Sequence, residues 1–260
     1  MKKIRPLLLI LLFSAGLLCP ADVRPETPEK NADSRLKIEV SGSLTSFQFE
    51  EDFDLGSGWN YDATINYCTV YGPKILISFP AGFYIDISGY HGGVSVEDIA
   101  IDYKYGAGTY RLDGNGYWEF NAASGFNIAE NLAVHICYFY YDLERLIRCG
   151  DNRDAEKNWM HALGLGFRTI REIGSTGISV VGLIEGYYTI DRGWKYTEGT
   201  DVQSSRSRGI GYSLENGIQY QVAGMPVYTF VGFRTRCFFT RHGNFWEMSR
   251  MFISRMTYEF

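Results

Sequence analysis

Residues 209–223 read GIGYSLENGIQYQVA. The even positions carry Ile210, Tyr212, Leu214, Asn216, Ile218, Tyr220 and Val222. The odd positions carry Gly211, Ser213, Glu215, Gly217, Gln219 and Gln221. Side chains of a β-strand alternate between two faces, so this stretch is a strand with one apolar and one polar or small face. The same period recurs at 36–49, 59–70, 75–88, 114–128, 132–141, 159–171, 178–191, 227–239 and 245–260, ten segments in all. Eight strands is the alternative if two early segments are misread. No stretch beyond the first 20 residues is apolar for 18 residues or more, which excludes a helical membrane protein.

The connections fall into two sorts. Tyr71-Gly72-Pro73-Lys74, Ala129-Glu130-Asn131, Gly174-Ser175-Thr176-Gly177 and Gly224-Met225-Pro226 read as tight turns. Between them lie longer polar segments at 50–58, 89–113, 145–158 and 193–208, with a shorter one at 240–244. Short turns on one side and long loops on the other are the pattern of an antiparallel transmembrane β-barrel, with the turns in the periplasm and the loops outside the cell. A soluble β-sandwich has no reason to sort its loops this way. The strand-like segment 94–105 would make an eleventh strand, and it is placed in the long upper loop 89–113 as a β extension above the membrane.

Aromatic residues make up 16% of the chain, more than a soluble core needs, and they cluster near strand ends. Trp59, Trp118, Tyr138, Trp159, Tyr188, Tyr212 and Trp246, together with Tyr61 and Tyr140, form an expected upper girdle. Tyr67, Phe126, Tyr220, Tyr258 and Phe260 form a lower one, because indole and phenol rings favour the bilayer–water boundary.

The opposite parity faces the lumen. It collects Glu119, His135, Arg168, Glu185, Glu215, Arg234, Arg236 and Arg255, along with Lys37, Glu39, Asp62, Asp86 and Glu259. In a barrel of about ten strands such side chains meet across the interior, and buried charges need partners. A salt-bridged plug is the first reading, and a narrow conduit for small polar solutes the second.

The N-terminus carries Lys2, Lys3 and Arg5 ahead of an apolar run from Leu7 to Leu18, with a small-residue cleavage site after Ala21. This is the form of a secretory signal, too short to span a bilayer. The bulky Leu17 and Leu18 count against lipid attachment at Cys19. Removing residues 1–21 takes away three cations and no acid, so a formal charge of −5 becomes −8. An acidic chain lacks the basic face that a nucleic-acid binder requires. Residues 22–35 are a polar linker, and 36–260 the barrel. Four cysteines remain after cleavage (Cys68, Cys137, Cys149 and Cys237), too sparse for a disulfide scaffold, though one bridge can form. There is no CxxC and no Cys/His cluster with zinc-finger spacing, so neither a metal nor a cofactor is expected.

The last segment reads FWEMSRMFISRMTYEF, with Phe252, Met256, Tyr258 and Phe260 on its apolar face. A terminal Phe, an aromatic two positions earlier and alternating hydrophobics before it resemble the C-terminal signature of Gram-negative-type outer-membrane β-barrel proteins. The resemblance implies recognition by the barrel-assembly machinery and residence among outer-membrane lipids; a monomer is expected. Arg250 departs from the apolar pattern, at a height where a long cation reaches the headgroups. No particular family of small barrels is matched.

Three functional classes follow: a structural or narrow-channel barrel, a surface adhesin or receptor binding an extracellular ligand through the loops, and a barrel enzyme. For the last, omptin-like proteases are also ten-stranded, with acidic and histidine residues above the membrane. His91, Asp98 and Asp102 in one region and Asp151, Asp154 and His242 elsewhere could activate water if they converged. Their spacing does not resemble omptin motifs. His135 as the base of a lipid hydrolase is disfavoured by its inward parity.

Overall fold

The computed structural model describes residues 36–54, 60–93, 98–103, 106–149, 152–198, 200–240 and 245–260. The signal segment 1–21, the linker 22–35, Trp59, Asp151 and His242 lie outside the described residues.

The strands are β1 (Lys37–Asp54), β2 (Asn60–Ser78), β3 (Phe83–Gly93), β4 (Asp98–Tyr103), β5 (Gly106–Ala129), β6 (Leu132–Cys149), β7 (Asn152–Glu172), β8 (Ile178–Glu198), β9 (Asp201–Ser207), β10 (Gly209–Gln221), β11 (Val227–Thr240) and β12 (Phe245–Glu259). Ten of them form a closed antiparallel barrel in the order β1-β2-β3-β5-β6-β7-β8-β10-β11-β12, with β12 pairing back onto β1 from Phe53↔Phe245 to Glu39↔Glu259. Closure leaves no unpaired sheet edge in the ring, the condition for backbone to cross lipid. The ten-strand count holds over the eight-strand alternative. β4 pairs only with the upper part of β5 and stays outside the ring, in the place expected for segment 94–105.

One boundary differs from the sequence reading. The chain does not turn at Tyr71-Gly72-Pro73-Lys74, because β2 runs straight through these residues and pairs with β1 at Gly42↔Pro73 and Ser41↔Lys74. The turn lies at Phe79–Gly82, closed by the Gly82 N–H donating to the Phe79 carbonyl at 3.1 Å, and Gly82 adopts φ +79°, which a side chain resists. Gly72 serves close approach instead: a Cβ there would sit 1.7 Å from the Gly89 carbonyl oxygen of β3. Gly-Pro is a turn signal only where the backbone reverses, and here pairing to both neighbours overrides it. Tyr67 therefore lies well up β2 rather than at the lower rim. Gly72→Ala should destabilise the barrel by about 1–3 kcal/mol through overpacking at β2–β3. Gly42→Ala, where the added carbon meets nothing within 4 Å, should be near neutral. Urea unfolding of the barrel in bilayers measures the pair.

The long connections also differ. β5 has 24 residues and β7 and β8 have 21 each, whereas about 10 residues of a tilted strand cross an apolar band about 25 Å tall. All three reach short turns at their lower ends, so the excess projects above the membrane. The polar segments 145–158 and 193–208 are largely β-hairpin, formed by β6–β7 and β8–β9.

Outward residues confirm the barrel's polarity. Leu44, Ile136, Leu163, Leu165, Ile210, Ile218, Phe252 and Met256 are all exposed on the outer wall. Apolar groups left uncovered over a whole belt are stable only against lipid.

Candidate functional site

The interior is built from the inward parity of each strand. Glu119 on β5 accepts from Arg236 Nη1 at 3.0 Å and Nη2 at 3.3 Å, from Arg234 Nη1 at 3.5 Å, and from the Tyr117 hydroxyl at 2.5 Å. Arg234 also donates through Nε to Glu215 at 2.7 Å, and Arg255 lies 3.9 Å from the same carboxylate. Arg255 donates to Ser43 Oγ at 3.2 Å and sits over the Phe230 ring, and Arg236 sits 4.0 Å from the Phe139 ring centroid. Each of these acids and arginines is buried. Buried ions are tolerated only with partners of this quality. The structure thus brings Glu119, Glu215, Arg234, Arg236 and Arg255 into one cluster. Arg168 is half-buried nearer the turn side, lining a cavity of about 70 Å³ that Lys74, Asp86, His135 and Glu185 also reach. Lys74, read from sequence as a turn residue, pairs with Asp86 at 2.6 Å.

His135 and Glu185 form a second centre through an arrangement of glycines. Cross-strand pairing sets Tyr84, Gly125, His135, Gly166 and Glu185 in one row across β3, β5, β6, β7 and β8. The glycines leave room for the side chains beside them to lie over the wall and touch. Tyr84 Oη meets His135 Nδ1 at 3.1 Å, and His135 Nε2 meets Glu185 Oε1 at 3.1 Å. A Cβ on Gly166 would come within 2.4 Å of that Nε2. One row higher, Cys137 faces Gly164, which faces Tyr187, whose hydroxyl donates to Glu185 Oε2 at 2.5 Å.

Above the charged cluster lies a layer the sequence reading did not foresee. Phe47, Tyr117, Phe139, Tyr141, Leu143, Met160, Phe238 and Met251 are buried together, with Phe139 stacked on Phe238 at 5.5 Å. The signal was present in the inward positions of 132–141, where Phe139 and Tyr141 continue the face of His135 and Cys137. Higher still, Arg192 pairs with Glu247 at 3.1 Å, to which Tyr141 also donates, and Arg145 pairs with Glu156 at 3.2 Å. Arg145 and Glu156 lie in the segment 145–158 read as a loop, and Arg192 lies one residue past the strand segment 178–191, in the upward continuation of β8. On the exposed wall of the extension, the carboxylates of Glu144 and then Asp142 hold the Lys157 ammonium above its ordinary pKa by accepting its hydrogens.

On the outer wall Trp118 and Tyr188 are exposed, and Tyr138, Trp159, Tyr212 and Trp246 are half-buried. Tyr138 is nearer the turn end of its strand than Trp118, Trp159 or Trp246 are to theirs. Phe126, Tyr220, Tyr258 and Phe260 are exposed close to the turns. At the C-terminal strand Phe252 and Met256 face outward, Tyr258 packs on Phe260 with ring centroids 4.6 Å apart, and the Phe260 N–H donates to Ile38. Arg250, on the same wall, is fixed by Glu50 at 2.6 Å rather than reaching freely upward. Among the enzyme candidates, His91 stacks on Trp118 and bonds the Tyr117 carbonyl, and none of its described contacts is a carboxylate. Of the described cysteines, Cys137 and Cys237 are free.

No family model matches the sequence, and no curated protein matches it. Solved structures do. The outer membrane protease OmpT from Escherichia coli superposes with a TM-score of 0.58 at 11% identity, over 90% of this chain and 99% of that one. The β domain of the Bordetella autotransporter BrkA gives 0.44 at 12% identity, over 87% and 100%. Neisserial surface protein A gives 0.36 at 11% identity, over 86% and 97%. At such identities the likeness concerns the fold alone, and that fold is the closed transmembrane barrel of outer-membrane proteins.

Proposed function

We propose that the chain is exported by residues 1–21, enters an outer membrane through its C-terminal signature, and works there as a non-conducting anchor presenting β-hairpins outside the cell. The observation that carries this reading is the filled lumen. Phe47, Phe139, Leu143, Met160 and Met251 are at most 1% exposed, and the salt-bridged cluster lies directly beneath them. An ion crossing this section would have to displace packed side chains and break buried pairs, each a cost of several kcal/mol, roughly. The plug therefore outranks the narrow conduit, and interaction falls to the hairpins of β6–β7 and β8–β9, which carry both charge signs. The likeness to a protease adds a fold and no chemistry. Planar-bilayer recordings of the refolded barrel should show no discrete openings; regular conductance steps would overturn the reading.

Assembly gives a separate expectation. Changing Tyr258 and Phe260 together to Ala should leave export intact and lower the amount of heat-modifiable barrel in the membrane severalfold. Normal abundance of the variant would show that the terminal aromatics do not serve as the signal.

A further inference from the structure

We propose that His135, Cys137 and Glu185 form a binding site for a divalent transition metal of the zinc class inside the turn-side half of the lumen. Three donors of different elements converge there: an imidazole nitrogen, a thiol sulfur and a carboxylate oxygen, all within 4.8 Å of one another and all buried. A mixed nitrogen, sulfur and oxygen set is that of a borderline-soft cation such as Zn²⁺, not of Mg²⁺ or Ca²⁺, which take oxygen. The expectation of no metal rested on the absence of zinc-finger spacing. Positions i and i+2 of a strand share a face, however, so His135 and Cys137 are neighbours without any such motif.

The surroundings are those of a built site. Gly166 and Gly164 on β7 are the residues directly between these donors and β8, and a Cβ on Gly164 would lie 2.8 Å from Cys137 Sγ. Tyr84 holds His135 Nδ1 and leaves Nε2 aimed at Glu185, while Tyr187 holds the second oxygen of Glu185. Such outer partners orient metal ligands and typically govern affinity by ten- to a hundredfold, roughly. His135, Cys137 and Glu185 all line the cavity of about 70 Å³. That volume holds a water as fourth ligand, since a water takes up about 30 Å³. Tetrahedral bonds of about 2.0–2.3 Å place donors roughly 3.4 Å apart. His135 Nε2 and Glu185 Oε1 are already at 3.1 Å, and the widest pair needs to close by at most about 1.4 Å. The charge also balances. Arg234 and Arg236 are cations near Glu185, but the Glu185 carboxylate and a Cys137 thiolate supply two negative charges against a dication. The thiol proton leaves to solvent as the metal–sulfur bond forms. A bound ion would clip β6 to β8 across the glycine strand, whether or not the barrel conducts.

Cobalt(II) titrated into the full-length barrel refolded in detergent tests the site directly. One equivalent should bind, with a thiolate-to-cobalt charge-transfer band that zinc displaces. Cys137→Ser should abolish the band, and Glu185→Gln should weaken binding at least tenfold, both with heat-modifiability retained. Should either variant fail to fold, X-ray absorption of zinc-loaded wild type gives a second reading, with one sulfur at about 2.3 Å expected. A wild-type barrel without the charge-transfer band, a band that persists in Cys137→Ser, or a zinc shell of oxygen and nitrogen alone overturns the proposal and leaves the cluster as a hydrogen-bonded brace.

Discussion

Leu165→Arg should keep most of the chain from inserting, with a loss of about 2–4 kcal/mol in folding into bilayers. Leu165 is 64% exposed on the outer wall of β7, midway up the part of the strand that crosses the membrane, so an arginine there faces hydrocarbon. Its neighbours Gly164 and Gly166 face the interior, so the substitution leaves the lumen untouched. The outward position matters more than the alternation that identifies it. Leu214 has outward parity as well, but it is only 5% exposed between Ile184 and Thr235, so an arginine there would report crowding as much as lipid contact. Vesicle folding followed by heat-modifiability on gels measures the loss. If Leu165→Arg folds as wild type does, the outer wall is not facing lipid and the membrane assignment fails.

The second large effect belongs to the lumen. Glu119→Ala should cost about 3–5 kcal/mol, because it leaves Arg236 and part of the charge of Arg234 buried without a carboxylate. Glu119→Gln keeps the shape and the acceptor for Tyr117, and should cost less. The informative variant is the pair Glu119→Met with Arg236→Leu, which removes both charges and should recover most of the stability lost in Glu119→Ala. Denaturant midpoints in bilayers supply the cycle. A double variant no better than Glu119→Ala would mean that the ions contribute through more than their mutual pairing. In bilayer recordings, Glu119→Ala separates plug from conduit: a brace that is lost without opening a pore agrees with the anchor reading.

The fold was legible because alternation is a property of neighbouring residues. In residues 209–223 the period of two names the outer face through Ile210 and Ile218 and the inner face through Glu215, without knowledge of any partner strand. Ten such segments, separated by short turns and long polar stretches, leave few architectures beside a closed barrel. The inward placement of Glu119, Arg234 and Arg236 followed from the same rule. The boundary between β2 and β3 did not, because Gly72-Pro73 and Pro80-Ala81-Gly82 carry similar local turn signals. Only the pairing of β2 with both β1 and β3 selects the second.

What the sequence determined by itself is therefore local: strand existence, face and the apolar belt, each dictated by side-chain chemistry at positions i and i+2. What the tertiary structure decided is register. Register set His135 against Gly166 and Gly166 against Glu185, stacked Phe139 on Phe238, and brought Glu119 to Arg236 across the barrel. The first two of these pairs lie in the β6–β7 and β7–β8 hairpins, whereas Phe139–Phe238 and Glu119–Arg236 are far apart in the chain and meet only when the cylinder closes. Neither the plugged lumen nor the His135–Cys137–Glu185 cluster can be read from any one segment, since the cluster depends on the register of β6, β7 and β8 and the plug on contacts between strands that closure brings face to face.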